Sequence, residues 1–202
     1  MCFSAEVSLS TYIIGMLGII RLWNLNLKPE AIFYACVIQM QLIEFLLWKN
    51  NQCNEMNKTI TKIGIIINHL EPFILWLAIY SFSPYILPNW LNKYMMIFFA
   101  IAIFYTYYVF KNGCTVVTKE SAPHLQWDWN SENYNNIFYF IFLLALILLS
   151  SYGLGKNGNT HAFIVFISFV ISYLIYNKKH STGAIWCFLA ASVPWIIPYV
   201  YV

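Results

Sequence analysis

The chain has 202 residues, of which 60% are hydrophobic, 19% aromatic and only 9% charged, with a mean hydropathy of +0.63 and a formal net charge of +3. Soluble domains carry about 25% charged residues, so this composition excludes a water-soluble globule. It also leaves no stretch of about 50 residues for an appended soluble catalytic, nucleotide-binding or DNA-binding domain. The expectation is an all-α, polytopic membrane helix bundle, a single domain over 1–202, whose main partner is the lipid bilayer.

Apolar runs recur in chain order at 8–20, 31–48, 63–87, 94–110, 135–153, 161–176 and 183–200. Each is close to the length a helix needs to cross hydrocarbon, which predicts seven transmembrane helices. Their edges carry Arg21, Trp23 and Lys28-Pro29-Glu30, then Trp48-Lys49, then Pro84, Pro88, Trp90 and Lys93, in the manner of an interfacial belt. The longest connection, 111–134, is rich in Trp and Pro and reads as an ordered cap.

With seven crossings, the connections that hold Lys49, Lys58, Lys62, Lys111, Lys119, Lys178 and Lys179 share one side with the N-terminus, against Arg21, Lys28, Lys93 and Lys156 opposite. The excess of basic residues predicts that the N-terminus is cytoplasmic, leaving the sequon Asn57-Lys58-Thr59 unused. Met1-Cys2-Phe3-Ser4-Ala5-Glu6 has no positive n-region, so the first run reads as retained. The odd set Cys2, Cys36, Cys53, Cys114 and Cys187 lacks the spacing of a disulfide framework and reads as reduced thiols. No basic cluster suggests nucleic acid.

Ionisable groups inside a bilayer are expensive and mark functional candidates, with a structural pair as the competing explanation. The second run contains Glu44, with Gln41 at i−3, and the third contains Asn68-His69-Leu70-Glu71-Pro72. Pro72 has no N–H for the carbonyl of Asn68, which predicts a kink and freed backbone. At about 1.5 Å per residue, Glu44 and His69 lie at similar depths on antiparallel neighbours and are expected to meet. The cap adds Cys114, His124, Trp127, Asp128 and Trp129 on the same face, and the N-terminus adds Cys2 and Glu6. Trp127 and Trp129 read as interfacial anchors, His161 and His180 as interfacial, and Tyr105, Tyr107 and Tyr108 as packing residues.

Met1-Cys2-Phe3-Ser4-Ala5, Gln41-Leu42-Ile43-Glu44, Cys53-Asn54 with Asn57, His69-Leu70-Glu71-Pro72-Phe73, Pro123-His124-Leu125-Gln126-Trp127-Asp128, and His180 with Trp186-Cys187 resemble an uncharacterised family of small multi-pass membrane proteins that begin Met-Cys-Phe/Trp-Ser. The likeness runs from residue 1 to about 190. Members look similar in carrying a Glu in the second span, a His before Pro-Phe in the third and a Trp-His-x-x-Trp-acidic loop, where this chain has Pro123 before His124. The resemblance implies one shared site and no particular activity.

Four chemistries fit these residues. The first is a metal-assisted membrane hydrolase, with zinc held by His69, His124 and Asp128, Glu44 as general base, and a lipid or small polar ligand bound near Gln41, Asn68, Glu71 and Trp127. Cys2, exposed by loss of the initiator Met, could instead be an N-terminal nucleophile. The third is a transporter, channel or small-ligand receptor centred on Glu44 and the Pro72 interruption. The fourth is a structural membrane protein held together by its polar cluster.

Overall fold

The computed structural model describes residues 4–111, 113–117, 124–127, 135–176 and 182–201. The first helix, α1 (Ala5–Asn24), begins where the Ser4 hydroxyl accepts from the N–H of Val7 at 3.3 Å. It ends where Asn26 takes a left-handed conformation, φ 62°. There Leu27 N–H bonds Leu22 O and Asn26 N–H bonds Trp23 O, both at 3.0 Å, satisfying carbonyls that a helix end otherwise leaves open. Pro29 then sits in the first turn of α2 (Lys28–Val37), where its missing N–H costs nothing.

The second apolar run, expected as one helix, is two. α2 stops at Val37 and α3 runs over Gln39–Lys49. At the junction Gln41 N–H bonds back only three residues, to Ile38 O at 3.0 Å, and the Gln39 side-chain amide donates to Ala35 O at 2.9 Å. The third run is instead continuous: α4 (Glu55–Phe82) passes through Pro72 without ending. α4 therefore does not end at Pro72, and the helix boundary inside an apolar run lies one run earlier, between α2 and α3.

The remaining elements are α5 (Asn89–Val109), a two-stranded hairpin of β1 (Thr115–Val117) and β2 (Leu125–Trp127), α6 (Asn135–Gly153), α7 (Gly158–Tyr176), α8 (Thr182–Ala190) and α9 (Val193–Val200). The last apolar run also splits, at Ala191-Ser192, with Pro194 in the first turn of α9 rather than kinking a longer helix. Among the described residues, Ala5–Asn24, Lys28–Lys49, Glu55–Phe82 and Gly155–Leu174 are long and apolar enough to cross a membrane, and Ile137–Gly153 is apolar but shorter.

α2 and α3 occupy the middle of the bundle, touching α1, α4, α8 and α9, while α5 packs on α4 and α6, and α7 on α6 and α8. The distribution of polarity is inverted relative to a soluble protein. Ile13, Ile14, Leu17 and Ile20 of α1 and Ile97, Phe104 and Tyr107 of α5 face outward, whereas Ser8, Gln41, Glu44, Glu71 and His161 are wholly enclosed. An exterior of aliphatic and aromatic side chains suits hydrocarbon, where helices associate through close packing rather than through exclusion from water.

Gly15 and Gly18 provide that closeness on α1. A Cβ at Gly15 would meet the Ile38 side chain, and one at Gly18 would come within 2.8 Å of Pro194 and 2.9 Å of the Trp195 indole. The same indole donates to Ile14 O at 3.0 Å. Gly18→Ile is expected to separate α9 from α1 and to cost about 1–3 kcal/mol, read as a lowered thermal midpoint in detergent. An unchanged midpoint would mean that this approach is not close.

Candidate functional site

The site is built on two helix faces. Glu30, Tyr34, Val37, Gln41 and Glu44 follow one another at spacings of four, three, four and three along α2 and α3, and all are buried. Asn57, Thr61, Gly64, Asn68 and Glu71 do the same on α4. That spacing keeps side chains on one face of a helix, so two helices that pack against each other carry polar groups along their contact.

Two contacts set their antiparallel register. A Cβ at Gly64 would lie 3.0 Å from Ile43 Cγ2, and Cys36 Sγ faces Ile67 O at 4.0 Å. Glu44 thus lies beside the level of Gly64, five residues and about 7.5 Å along the axis from His69. Among the described residues no hydrogen bond or ion pair joins Glu44 to His69, and each has a partner of its own. Gln41 Nε2 donates to Glu44 Oε2 at 3.0 Å, and His69 Nδ1 meets Thr106 Oγ1 of α5 at 2.6 Å. Among the described residues the ion pair that forms is Lys58–Glu55, at the surface.

Around His69 the walls are aromatic, with ring centroids of Phe138 at 4.8 Å, Tyr105 at 5.3 Å and Tyr139 at 6.4 Å. The Tyr139 hydroxyl donates to Asn68 Oδ1 at 3.0 Å. Glu71 is the outlier. It has no solvent exposure, and neither carboxyl oxygen has a hydrogen-bond partner among the described residues. It lies within electrostatic reach of Cys36 and Tyr139.

The cap is a hairpin with Thr115 opposite Trp127, Val116 opposite Gln126 and Val117 opposite Leu125. Trp127, expected at the interface, is instead 1% exposed and packs with Met40, Ile43, Leu47 and Ile65. His124, immediately before β2, is buried. Cys53 and Cys114, expected as reduced thiols, form a disulfide with a Cα–Cα separation of 5.6 Å. The sequence misleads here because the two are 61 residues apart and become neighbours only when the hairpin folds onto α4. Cys36 and Cys187 are thiols within the bundle.

Of the proposed zinc ligands, His69 sits in the aromatic enclosure and His124 is buried just before β2, while Asp128 falls outside the described residues, as do Cys2, Trp129 and His180. Glu6 is exposed. No group of three or more His, Cys, Asp or Glu side chains that could hold a metal occurs among the described residues. The metal site expected from residue types is thus without support.

A second polar cluster, at the other end of the bundle, was not anticipated from sequence. His161, expected at the interface, is fully enclosed. Its Nε2 lies 3.0 Å from the Tyr34 hydroxyl and its Nδ1 lies 2.8 Å from Ser150 Oγ, which donates to Leu146 O at 2.7 Å. Because Ser150 spends its one proton on Leu146, His161 must carry its proton on Nδ1 and accept from Tyr34 on Nε2. Glu30 and Tyr201 adjoin Tyr34. The signal that could have revealed the cluster was the run Glu30, Tyr34, Gln41, Glu44 on one face.

No family model, curated protein or solved structure matches the chain.

The directed chain from Tyr34 through His161 to Ser150 should behave as one unit. Tyr34→Phe and His161→Gln are each expected to lower stability by about 1–2 kcal/mol. The double variant should lose less than their sum by at least about 0.5 kcal/mol, measured by thermal unfolding in detergent. Strict additivity would show that the two side chains do not share a hydrogen bond.

Proposed function

We propose that the chain is an integral membrane protein of seven passes that moves protons, as a channel or a proton-coupled transporter, through the polar contact between α2/α3 and α4. Glu71 carries this reading. A carboxyl group enclosed near the middle of a 28-residue apolar helix, without a hydrogen-bond partner among the described residues, is costly in hydrocarbon, and such groups mark proton and ion pathways. In a purely structural cluster a partner would be expected, since removing or omitting one leaves a penalty of about 1–3 kcal/mol.

The chemistry of the neighbours favours protons over larger cations. Tyr139, Tyr34, His161 and Ser150 each offer a group that both donates and accepts hydrogen bonds, and they stand on both sides of Glu71 along the bundle. A dehydrated metal cation calls instead for a cage of oxygens. The interrupted second span supports the same reading, because broken helices at membrane depth are tolerated where they border a polar interior. The four long apolar helices support membrane insertion, and α5, α6 and the α8–α9 pair supply the other three passes. The likeness to the family beginning Met-Cys-Phe/Trp-Ser stands as a proposal on Gln41, Glu44, His69 and Glu71, which this reading groups in one interior.

Reconstituted into vesicles holding a pH-sensitive dye and given a potassium diffusion potential, the protein is expected to raise proton flux at least about tenfold over empty vesicles, and Glu71→Gln to abolish the increase. Wild-type flux equal to that of empty vesicles, or equal in the two proteins, would contradict the proposal.

A further inference from the structure

The hairpin is fastened to α4 at two neighbouring points. Cys114, the residue before β1, is bonded to Cys53 in the connection ahead of α4. One turn into that helix, Asn57 grips the next residue. Its Nδ2 donates to Thr115 O at 2.8 Å and to Asn50 O at 2.6 Å, and its Oδ1 accepts from Thr115 N–H at 3.0 Å. Thr61 adds a bond from its hydroxyl to Thr115 Oγ1 at 3.1 Å.

Fixing Thr115 fixes Trp127, its opposite number in the hairpin. The indole then covers Gly64, where a Cβ would approach Trp127 Cζ3 to 3.3 Å, and it packs in one cluster with Ile43, Met40 and the thiol of Cys187. Gln41 and Glu44 lie on α3 on either side of that cluster. Among the described residues, Trp127 thus lies across the end of the polar interior nearest the hairpin, with its seat set by the disulfide and the Asn57 clamp.

We propose that Cys53–Cys114 is the lock of a cap: it holds Trp127 over the Gln41–Glu44 end of the interior, on a face that lies in an oxidising compartment, and a dithiol that reduces it opens that end to water. In the opening step the dithiol gives up two electrons and two protons. Its two sulfurs join to each other, the Cys53–Cys114 bond breaks, and two protein thiols form. The inference depends on the bundle crossing a bilayer and not on what it moves.

The chemistry of the disulfide decides the orientation. Such bonds persist in oxidising compartments and are rare where glutathione and thioredoxin keep thiols reduced. The N-terminus shares the side of the hairpin in a seven-pass chain, so it faces the oxidising compartment, opposite to the side suggested by a Lys excess of seven to four. The sequon does not bear on the choice. Both amide protons of Asn57 are engaged and the residue is fully buried, so no glycan can be carried there in the folded state.

The test uses the full chain in endoplasmic-reticulum microsomes, with a glycosylation acceptor appended to the N-terminus, followed by transfer to lipid discs and maleimide labelling read by peptide mass. The appended acceptor should be glycosylated, and the Cys53 and Cys114 peptides should be recovered joined. Labelling of Cys187 should rise at least about tenfold after a dithiol, and similarly in Trp127→Ala with the disulfide intact. A Cys53→Ser/Cys114→Ser variant should label like the reduced protein; if it does not fold, the reduced wild type still decides. An unmodified acceptor with Cys53 and Cys114 recovered as thiols would overturn the proposal. So would joined cysteines with an unmodified acceptor, or joined cysteines whose reduction leaves Cys187 labelling unmoved.

Discussion

Backbone and side-chain polar groups in a bilayer have no water to turn to, so they must find one another inside the protein. In this chain that constraint is met along the antiparallel contact of α2/α3 with α4. The enclosed faces bring Glu30, Tyr34, Gln41 and Glu44 to one helix pair and Asn57, Thr61, Asn68 and Glu71 to the other. The other helices complete this contact from the side: Thr106 of α5 for His69, Tyr139 of α6 for Asn68, and His161 of α7 for Tyr34. Glu71 is a carboxyl group for which the described residues supply no hydrogen bond to either oxygen.

The placement of the break follows from the same constraint. A proline inside α4 removes one donor without ending the helix, since the rest of its turns remain bonded and its length continues well to either side. Between α2 and α3 the bonding shifts at Ile38, where Gln41 N–H reaches back three residues instead of four, and the Gln39 amide adds a bond to Ala35 O. The interruption is tolerable because Ile38 is buried in protein, against α1 at Gly15.

Helix positions were largely legible from the sequence because long apolar runs between polar connections suit helices, four of them long and apolar enough to cross a membrane among the described residues. α4 extends beyond the apolar run 63–87 on its N-terminal side, where the polar residues Asn57 and Thr61 are buried against Thr115 of the hairpin. Gln41, Glu44, Asn68, His69 and Glu71 were recognisable as costly residues. Their pairing was not, because helix register depends on small residues such as Gly64 that carry no polarity signal. The disulfide and the His161 cluster were hidden for a related reason: Cys53 with Cys114, and Tyr34 with His161, are brought together by topology across 61 and 127 residues.

The central claim is that Glu71 is an enclosed carboxyl group that exchanges its proton in the working protein. Infrared difference spectroscopy across a pH step, on protein in lipid discs, observes such a group directly. The account predicts a carboxyl C=O band that shifts in heavy water and disappears in Glu71→Gln. Identical difference spectra for the wild type and Glu71→Gln would contradict it.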